Sequence, residues 1–470
     1  MGFFKAYDMR GTFGVDFNLH TVFKVGETLP DVVGGKRWLV GRDVRTSSPD
    51  VHDALVAGLK KAGVSVADLG VCTTPMVYFF TAEDGYDGSV MITASHNPPS
   101  DNGLKVSKRT ALPVGYADGL DKVEALVSAS GDIYVSYANA SDSSELTDPK
   151  ALSRYIDWQR ASTDDSCFCS LRYAVDCSNG MASIMAHEMF PGAEVINYTL
   201  DGSFPNHSPN PLKAEAREQI AALVRERGLD FGIIFDGDAD RCMFVDEKGE
   251  FVQPDYLVPV VAKATIAEMG TDAGDRPKVI HDVRTSRGAI EALREMGCEP
   301  VMVPVGHAFA KPMLRECGAL CGGELAGHYY FSEFFGCDSG ILAARRIVAE
   351  IARAKAAGMT FSEMMTPISG RYANSGELNF RVEDKDAAIS RVLDCAAKAL
   401  PKELSRSELD GIRMEYAEGW INIRKSNTEP YLRLIAECDT SERLETWVAD
   451  LKSAIAGTGN FWYNNHPFKA

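Results

Sequence analysis

Short apolar runs alternate with longer amphipathic stretches over the first three quarters of the chain. An apolar run at residues 38–41 leads into Asp43-Val-Arg-Thr-Ser47, and another at 278–281 leads into Asp282-Val-Arg-Thr-Ser286. In both places a helical pattern follows, ends at a glycine and gives way to a further apolar run. A weaker third copy begins at residues 173–176, and its pattern predicts a helix through Met189 followed by an apolar segment at 193–196. Repeated strand–helix–strand units predict sheets whose faces are covered by helices.

The last hundred residues have a different pattern, in which strand-like runs follow one another. Strands in succession with helices on either side predict an α+β domain. Polar or Gly/Pro-containing seams lie near residues 141–149, 246–249 and 364–370. The strand-like runs are at residues 378–382, 412–416, 420–423 and 432–437, and the helical stretches are at 387–399 and 441–455.

Composition narrows the class of partner. The 470 residues are 45% hydrophobic and 24% charged, as is usual for a globular enzyme of several domains. A net charge of −17 argues against nucleic acid and anionic membranes as partners. Eleven cysteines without zinc-like or paired spacing indicate reduced thiols. With no signal peptide and no apolar span of about 20 residues, we expect a cytoplasmic protein that acts on small molecules.

One turn in the first quarter of the chain presents a serine. The apolar run at residues 88–92 leads into Thr93-Ala-Ser95-His96-Asn97-Pro98-Pro99. Proline fixes φ and removes backbone donors, so this turn holds Ser95 and His96 rigidly. A rigidly presented serine suits a nucleophile or a phosphate carrier. Taken alone, the same letters also fit an ordinary Asx/Pro turn.

A second apolar run, at residues 231–235, ends in Asp236-Gly-Asp238-Ala-Asp240-Arg241. Three carboxylates at a spacing of two can converge on one hard cation. An EF-hand is disfavoured because Arg241 occupies the position that needs glycine and because a strand precedes the loop. The strand followed by Asp-x-Asp also resembles the start of haloacid-dehalogenase phosphatases, in which Asp236 would be the nucleophile. The second acidic pair of those enzymes is missing here. A solvated acidic turn is disfavoured by Arg241 beside the carboxylates, so the pattern favours a metal site.

Two further loops each contain several polar side chains close together in the sequence. Cys321-Gly-Gly-Glu324-Leu-Ala-Gly-His328 presents a carboxylate and an imidazole on glycine-rich backbone, which suits sugar hydroxyls. Arg424-Lys-Ser426-Asn427-Thr428 follows an apolar run and offers a donor set for phosphate, although a capped β-turn is the alternative. Weaker single candidates are Tyr7, Arg10, Lys105 and His307.

In this order and spacing, the four loops resemble the signature loops of the α-D-phosphohexomutase superfamily, and the resemblance, closest to its bacterial phosphomannomutase/phosphoglucomutase members, covers essentially the whole chain. It implies an α/β fold of three similar mixed-sheet domains and a C-terminal α+β domain around a central cleft. Together with the seams, it predicts four domains, each carrying one loop. They are residues 1–145 with the phosphoserine loop, 146–248 with the metal loop, 249–366 with the sugar loop and 367–470 with the phosphate loop.

The resemblance implies an enzyme in which phosphorylated Ser95 gives its phosphoryl group to a hexose monophosphate. The bound hexose 1,6-bisphosphate then reorients and returns its other phosphate to the serine. Mg²⁺ would be held by the serine phosphate with Asp236, Asp238 and Asp240, and hexose 1,6-bisphosphate would act as intermediate and activator. The implied partners are hexose phosphates, and the expected assembly is a monomer or weak homodimer.

Residue roles carry over to matching positions only. Which of Arg10, Lys105 and His328 moves the proton stays open at this stage. The implied catalytic residues are Ser95, Arg10, His96, Lys105, Arg241 and His328. The implied substrate-binding residues are Tyr7, Arg284, His307, Glu324, Ala326, His328, Arg424, Ser426, Asn427, Thr428 and Arg433.

The glycine-rich loop bears on the substrate. Ala326 stands where bacterial phosphomannomutase/phosphoglucomutase relatives often have serine, and Leu325 stands where glucosamine mutases favour glutamine. The loop resembles the mannose branch, which favours interconversion of mannose 6-phosphate and mannose 1-phosphate. Phosphoglucomutase and phosphoglucosamine mutase activity by the same mechanism are the alternatives. A Mg-dependent sugar phosphatase and a non-catalytic sugar-phosphate binder are alternatives of other classes.

Overall fold

The computed structural model describes residues 2–129, 145–146, 150–270, 275–426, 431–456 and 462–464, and these residues form four sheets. Each sheet belongs to one consecutive part of the chain. The first part contains β1 (Met9–Thr12), α1 (Leu19–Val33), β2 (Arg37–Arg42), α2 (Ser48–Lys61), β3 (Ser65–Val71), α3 (Thr74–Glu83), β4 (Gly88–Ile92), β5 (Asp101–Lys108), β6 (Leu112–Pro113), α4 (Leu120–Ala129) and β7 (Glu145–Leu146). The second contains α5 (Ala151–Ala161), β8 (Tyr173–Asp176), α6 (Ala186–Met189), β9 (Glu194–Ile196), α7 (Ala214–Arg227), β10 (Phe231–Phe235), β11 (Cys242–Asp246) and β12 (Phe251–Val252).

The remaining two parts complete the chain. The third contains α8 (Val258–Met269), β13 (Lys278–Asp282), α9 (Arg287–Glu295), β14 (Glu299–Val303), α10 (His307–Cys317), β15 (Cys321–Gly323), β16 (Tyr329–Phe331), β17 (Cys337–Asp338), α11 (Gly340–Ala356) and α12 (Phe361–Ser369). The fourth contains β18 (Ala373–Asn374), β19 (Leu378–Arg381), α13 (Lys385–Ala399), β20 (Ser405–Ser407), β21 (Ile412–Glu415), β22 (Gly419–Lys425), β23 (Leu432–Cys438), α14 (Ser441–Ala456) and β24 (Trp462–Asn464).

The first three sheets share one topology. The shared strand order is β3-β2-β4-β5-β1 in the first, β9-β8-β10-β11-β12 in the second and β14-β13-β15-β16-β17 in the third. In each, the first three strands are parallel and the last two are antiparallel. The fourth sheet is antiparallel, in the order β20-β21-β22-β23-β19-β24. The predicted fold, three similar mixed-sheet domains and an α+β domain, is confirmed, while the predicted domain limits stay predictions.

The third copy of the repeat departs from its predicted helix. The sequence predicts a helix running to Met189, but the chain makes a 3-10 turn, Met181–Ile184, and then only the short α6. Gly180 lies against the acidic loop, where a Cβ would come within 2.6 Å of the Gly237 carbonyl oxygen. The Met181 amide donates to that same oxygen at 2.9 Å. The segment therefore supports the neighbouring loop instead of continuing as a regular helix.

One apolar cluster is continuous across three domains, the first domain has a second cluster of its own, and the core of the fourth domain is separate. One buried cluster includes Leu39 and Met91 of the first domain, Phe231 of the second and Ile341 of the third. The fourth domain has its own cluster between its sheet and the helices α13 and α14. A small contact of Leu325 with Trp420 and Ile435 joins the third domain to the fourth. Among the described residues, no helix is long and apolar enough to cross a membrane.

Candidate active site

The serine and the acidic loop meet where two parallel strands end. Ser95 follows β4 in the first domain, and Asp236 follows β10 at the corresponding place in the second. The Ser95 hydroxyl Oγ donates to Asp236 Oδ2 at 2.8 Å, although 141 positions separate them. Gly237 permits this approach, because a Cβ there would lie 2.6 Å from the Ser95 carbonyl oxygen. Ligand sites of α/β sheets lie at such carboxyl ends.

The backbone at Ser95 is held in the left-handed region, with φ of 51°. Its amide donates to Thr93 Oγ1 at 2.8 Å, and its hydroxyl lies 3.1 Å from His96 Nδ1. Burial, together with the nearby Arg241 and Arg10, holds the pKa of His96 well below its usual value. His96 is therefore a neutral neighbour of the serine at physiological pH.

The three predicted carboxylates form one buried group with Lys105. Its Nζ lies 2.7 Å from Asp238 Oδ2 and 2.6 Å from Asp240 Oδ2. Burial alone would raise the pKa of Asp238, but Lys105 outweighs it and leaves that pKa lowered. Burial and the two neighbouring carboxylates raise the pKa of Asp236. Arg241 completes the group, with Nε 3.8 Å from Asp236 and 3.9 Å from Asp240.

This acidic group fits a hard divalent cation. Asp236, Asp238 and Asp240 offer carboxylate oxygens that all lie within 4.8 Å of one another. The Oδ1 atoms of Asp238 and Asp240 are buried and have no hydrogen-bond partner. Buried carboxylate oxygens without donors are costly unless a cation satisfies them. An all-oxygen donor set is the chemistry that Mg²⁺ prefers.

His328 lies beside the acidic group and is tied to a residue that the sequence motifs do not mark. Its Nδ1 is 2.7 Å from Asp338 Oδ2 and 3.8 Å from Asp240 Oδ1. Lys311 Nζ approaches the other oxygen of Asp338 at 2.8 Å. The backbone of Arg241 pairs with that of His328 in an isolated β-bridge, which fixes the two loops to each other. Asp338 stands in the two-residue strand β17, too short to carry a recognisable pattern.

Glu324 lies deeper in the glycine-rich loop. It accepts a hydrogen bond from the Tyr330 hydroxyl at 2.5 Å, and Arg284 Nη2 lies 3.8 Å from its other oxygen. Burial raises the pKa of Glu324. The Tyr330 ring is stacked with the His328 ring at 6.2 Å between centroids. Glu324 and His328 are thus linked through Tyr330, and the half-buried Ala326 lies between them in the chain.

Three predicted arginines surround one glutamate of the fourth domain, Glu377. Its carboxylate lies 2.8 Å from Arg424, 2.9 Å from Arg433 and 3.5 Å from Arg284. Burial alone would raise the pKa of Glu377, but the three guanidinium groups outweigh it and lower that pKa. We name this set the arginine cluster. It joins the third and fourth domains, and the sequence gives no local sign of Glu377.

The remaining predicted residues lie around these groups. Arg10 donates to Asp8 at 2.6 Å and to Asn97 in the serine turn at 3.2 Å. The Tyr7 hydroxyl donates to the Val305 carbonyl at 3.1 Å, and its ring meets that of His307 edge-on at 6.3 Å. The His307 and His328 ring centroids are 6.0 Å apart. Ser426 is half-buried at the end of β22, and Asn427 and Thr428 lie outside the described residues.

A presented serine, an acidic group for a divalent cation and an arginine cluster, carried by four domains, define an enzyme that transfers phosphoryl groups. Comparison with sequence families gives the same result for all four domains. Residues 1–132, 151–249 and 253–372 match "Phosphoglucomutase/phosphomannomutase, alpha/beta/alpha" domains I, II and III, and residues 377–454 match the C-terminal domain of that family.

Individual relatives agree with the family match. The chain is 35% identical over 463 residues to phosphohexose mutases of Xanthomonas campestris, covering 97% of this chain and 99% of the relative. It is 36% identical over 443 residues to a phosphomannomutase of Salmonella montevideo, covering 92% and 94%. A crystal structure of a phosphoglucomutase/phosphomannomutase family protein from Burkholderia thailandensis superposes with a TM-score of 0.78 at 28% identity, covering 98% and 99%. The chain belongs to the phosphoglucomutase/phosphomannomutase family and is a phosphohexomutase.

Proposed function

We propose that this phosphohexomutase interconverts mannose 6-phosphate and mannose 1-phosphate, with Ser95 as the residue that carries the phosphoryl group. The contact that supports this role is the 2.8 Å hydrogen bond from Ser95 Oγ to Asp236. It places a rigidly held hydroxyl against the group of carboxylates that fits a divalent cation. A serine phosphate formed there would lie beside Arg241, Lys105 and Arg10, whose charges offset the charge of the transferring group.

Asp236, Asp238 and Asp240, with the phosphate on Ser95, would hold Mg²⁺. When bound, Mg²⁺ supplies charge neutralisation to the phosphoryl group in transfer. The chain's own part is to hold the carboxylates together before the cation binds. Lys105 offsets the repulsion between Asp238 and Asp240 by pairing with them at 2.7 and 2.6 Å, in place of the cation.

His328 is the group that we assign to proton transfer with the sugar hydroxyl. Burial alone would lower the pKa of Lys105 and that of Arg10, but their carboxylate partners leave both pKa values raised. Both side chains therefore keep their protons at neutral pH, which leaves His328 as the remaining candidate of the three. Asp338 lies 2.7 Å from His328 Nδ1 and fixes the ring, which leaves Nε2 for the hydroxyl.

The arginine cluster would bind the phosphate that is not reacting. Arg284, Arg424 and Arg433 converge on Glu377, and guanidinium groups bind phosphate in a bidentate way. Ser426, Asn427 and Thr428 would add donors from the loop after β22. Glu324 and His307 belong to the third domain with His328, and Tyr7 of the first domain meets the ring of His307. Hexose 1,6-bisphosphate, with a phosphate at each end, would be the activator because either end can load Ser95.

The mannose preference rests on the relatives named phosphomannomutase and on the glycine-rich loop. Leu325 is buried against Trp420 and Ile435, so it packs between domains and offers the sugar no polar group. Ala326 likewise offers no hydroxyl. The loop therefore offers Glu324 and His328 to the sugar, without the glutamine that glucosamine mutases favour at position 325 and without the serine that many phosphomannomutase/phosphoglucomutase relatives have at 326.

The decisive experiment compares mannose 1-phosphate, glucose 1-phosphate and glucosamine 1-phosphate in a coupled assay with hexose 1,6-bisphosphate present. We expect the highest kcat/KM with mannose 1-phosphate and no steady release of inorganic phosphate.

Ser95→Ala should lose at least about 10³-fold in kcat, because the covalent carrier is gone. Ser100→Ala, an exposed position of the same turn, is the matched control and should retain full activity. Wild-type turnover by Ser95→Ala would overturn the carrier role, and steady phosphate release would indicate a phosphatase.

A further inference from the structure

Arg45, in the first copy of the repeated motif, is completely buried beneath the serine turn. Its Nη2 donates to the carbonyl oxygens of Ser95 and Asn97, both at 2.7 Å. Its Nη1 donates to those of Pro98 at 2.6 Å and Asp101 at 2.9 Å. A single guanidinium therefore holds four carbonyl groups of the segment that presents the serine.

Arg45 is itself fixed from two sides. Its fifth donor, Nε, bonds to Asp43 Oδ2 at 3.1 Å, so every N–H of the guanidinium has a partner. The Asp43 amide donates to the Ile92 carbonyl at 3.0 Å, at the end of the strand that leads to Ser95. From the second domain, the Phe204 ring lies 5.1 Å from the guanidinium carbon. The arginine thus links the end of β4, the serine turn and the neighbouring domain.

The second copy of the motif uses its arginine differently. Arg284 pairs with Asp282 at 2.6 Å, as Arg45 does with Asp43, but then faces Glu324 and Glu377 instead of backbone carbonyls. The five shared residues therefore determine that the aspartate and the arginine pair. They do not determine which other groups the arginine contacts. The four carbonyl contacts of Arg45 are particular to the place that carries the serine.

The contacts of Arg45 keep the backbone of the serine turn in one conformation, which matters for a serine that carries phosphoryl groups. Ser95 stands at φ of 51°, a conformation that costs an L-residue about 1–2 kcal/mol. The bond from Arg45 to the Ser95 carbonyl opposes relaxation of that conformation. Displacements of about 1 Å can cost about 10²-fold in rate.

We propose that Arg45 is a positioning residue for the phosphoryl-transfer step, holding Ser95 Oγ towards the acidic group in both the free and the phosphorylated enzyme. It acts through the backbone of the serine turn and does not touch the substrate. This inference rests on the proposed role of Ser95 as the carrier.

The test uses Arg45→Lys and Arg45→Met beside a control that breaks an equivalent buried arginine elsewhere. Arg345 is also completely buried and donates to the carbonyl oxygens of Met189 at 2.6 Å and Thr163 at 2.9 Å. It pairs with Asp165 at 2.7 Å and lies 5.1 Å from the Phe168 ring. Arg345→Met therefore removes similar contacts away from the serine turn.

Each variant is assayed below its own unfolding temperature, with the folded fraction measured by circular dichroism. We expect Arg45→Lys, whose three donors cannot satisfy four carbonyls and Asp43, to lose about 10- to 100-fold in kcat. KM for the sugar phosphate should stay within about twofold, because the binding groups are untouched. Mass spectrometry should show slower loading of Ser95 from hexose 1,6-bisphosphate. Arg345→Met should lose stability and keep wild-type kcat per folded molecule.

Two results would overturn the positioning role while leaving the carrier role intact. One is wild-type kcat and loading rate in the folded Arg45 variants; the other is a loss that only follows the folded fraction, as in Arg345→Met. If Arg45→Met does not fold, Arg45→Lys decides the question alone. Ser95→Ala is run in parallel, because full turnover by that variant refutes the carrier role whatever the Arg45 variants show.

Discussion

At the scale of single residues, the site consists of buried polar and charged groups that compensate one another in sets of three or four. Asp238 and Asp240 share Lys105, Glu377 shares three arginines, and His328 shares Asp338 with Lys311. Removing one partner from such a set leaves a buried charge uncompensated, which is costly. Substitutions here should therefore change stability and ligand affinity together.

The first prediction concerns Lys105→Met. Without the ammonium group, the buried carboxylates repel each other, so we expect the free energy of unfolding in EDTA to fall by about 3–5 kcal/mol. Mg²⁺ no longer competes with the lysine, so saturating Mg²⁺ should raise the melting temperature more than it does in the wild type. Differential scanning fluorimetry with and without Mg²⁺ measures both effects. Lys311→Met, which breaks a neighbouring pair, should lose stability without a larger Mg²⁺ response; equal responses in Lys105→Met and wild type would contradict the prediction.

The second prediction concerns Glu377→Gln. Neutralising the glutamate leaves three guanidinium groups facing one another, so the melting temperature should fall in the absence of anions. The same change raises the positive potential of the cluster, and inorganic phosphate should bind several-fold more tightly. Isothermal calorimetry with phosphate tests this, with the exposed Glu383→Gln as control. Weaker phosphate binding by Glu377→Gln would show that the glutamate positions the arginines.

Sequence patterns reveal the residues that follow strands and miss those that act across domains. Ser95 and the acidic loop are recognisable because each directly follows an apolar run. Glu377 carries no such sign, since its arginine partners come from distant parts of the chain. Asp338 carries none because the two-residue strand β17 is too short to show a pattern. The sequence shows only that Arg45 belongs to the repeated motif. Its contacts cannot be predicted from the sequence, because they depend on how the serine turn folds back over the side chain.

At the scale of elements, the apolar runs predict buried strands closely. The runs at 88–92 and 231–235 coincide with β4 and β10, which are buried along their whole length between helices. Their ends are marked by the change from apolar to polar residues. The helix predicted before Met189 fails because the backbone there bonds to the acidic loop, a tertiary contact that no local pattern contains.

The third prediction concerns the packing of α2 on β3. His52 on the helix is 3.0 Å from Asp68 on the strand and 3.1 Å from Asp53, while Lys60 and Arg42 also lie near Asp68. Burial alone would lower the pKa of His52, but the two carboxylates outweigh it and leave it above 6.5. A raised pKa adds stability that is full below the unfolded-state value and lost as pH rises through the folded-state value.

We therefore expect the stability difference between wild type and His52→Gln to be larger at pH 6 than at pH 8.5. Urea unfolding at the two pH values measures this difference. His187→Gln, at an exposed position, is the control and should show no such change. A difference that is constant with pH would contradict the charged pair.

At the scale of the whole molecule, the apolar clusters separate the fourth domain from the other three, which gives two bodies. The first three domains share one buried cluster, and the fourth has its own. The first domain also has a second cluster on the other face of β2 and β4, the strands that reach the shared cluster through Leu39 and Met91. Polar contacts dominate the boundary between the third and fourth domains: Arg287 binds Glu415 at 2.7 Å and the carbonyls of Tyr416 and Gly419, and Arg413 donates to Val283. The arginine cluster lies at this same boundary.

The fourth prediction is that thermal unfolding of the full chain shows two transitions in calorimetry. Leu378→Ala, in the fourth-domain core, should lower one of them, and Ile233→Ala, in the shared core, should lower the other. Each should cost about 2–5 kcal/mol in its own body. Sugar phosphate bound between the arginine cluster and His328 should bring the transitions together. A single transition displaced equally by both substitutions would show one cooperative unit.

The two copies of Asp-Val-Arg-Thr-Ser also bear on descent. If the three mixed-sheet domains arose by duplication of one ancestral gene segment, the aspartate–arginine pair was inherited as a finished part. In the first copy the arginine binds the backbone of the serine turn within its own domain. In the third domain the arginine faces a residue of the neighbouring domain. The inherited unit is a buried guanidinium whose orientation is fixed by the aspartate. Divergence of the surrounding loops then gave the arginine of each copy different partners. Grafting the motif alone into another domain would transfer the pair without transferring either task.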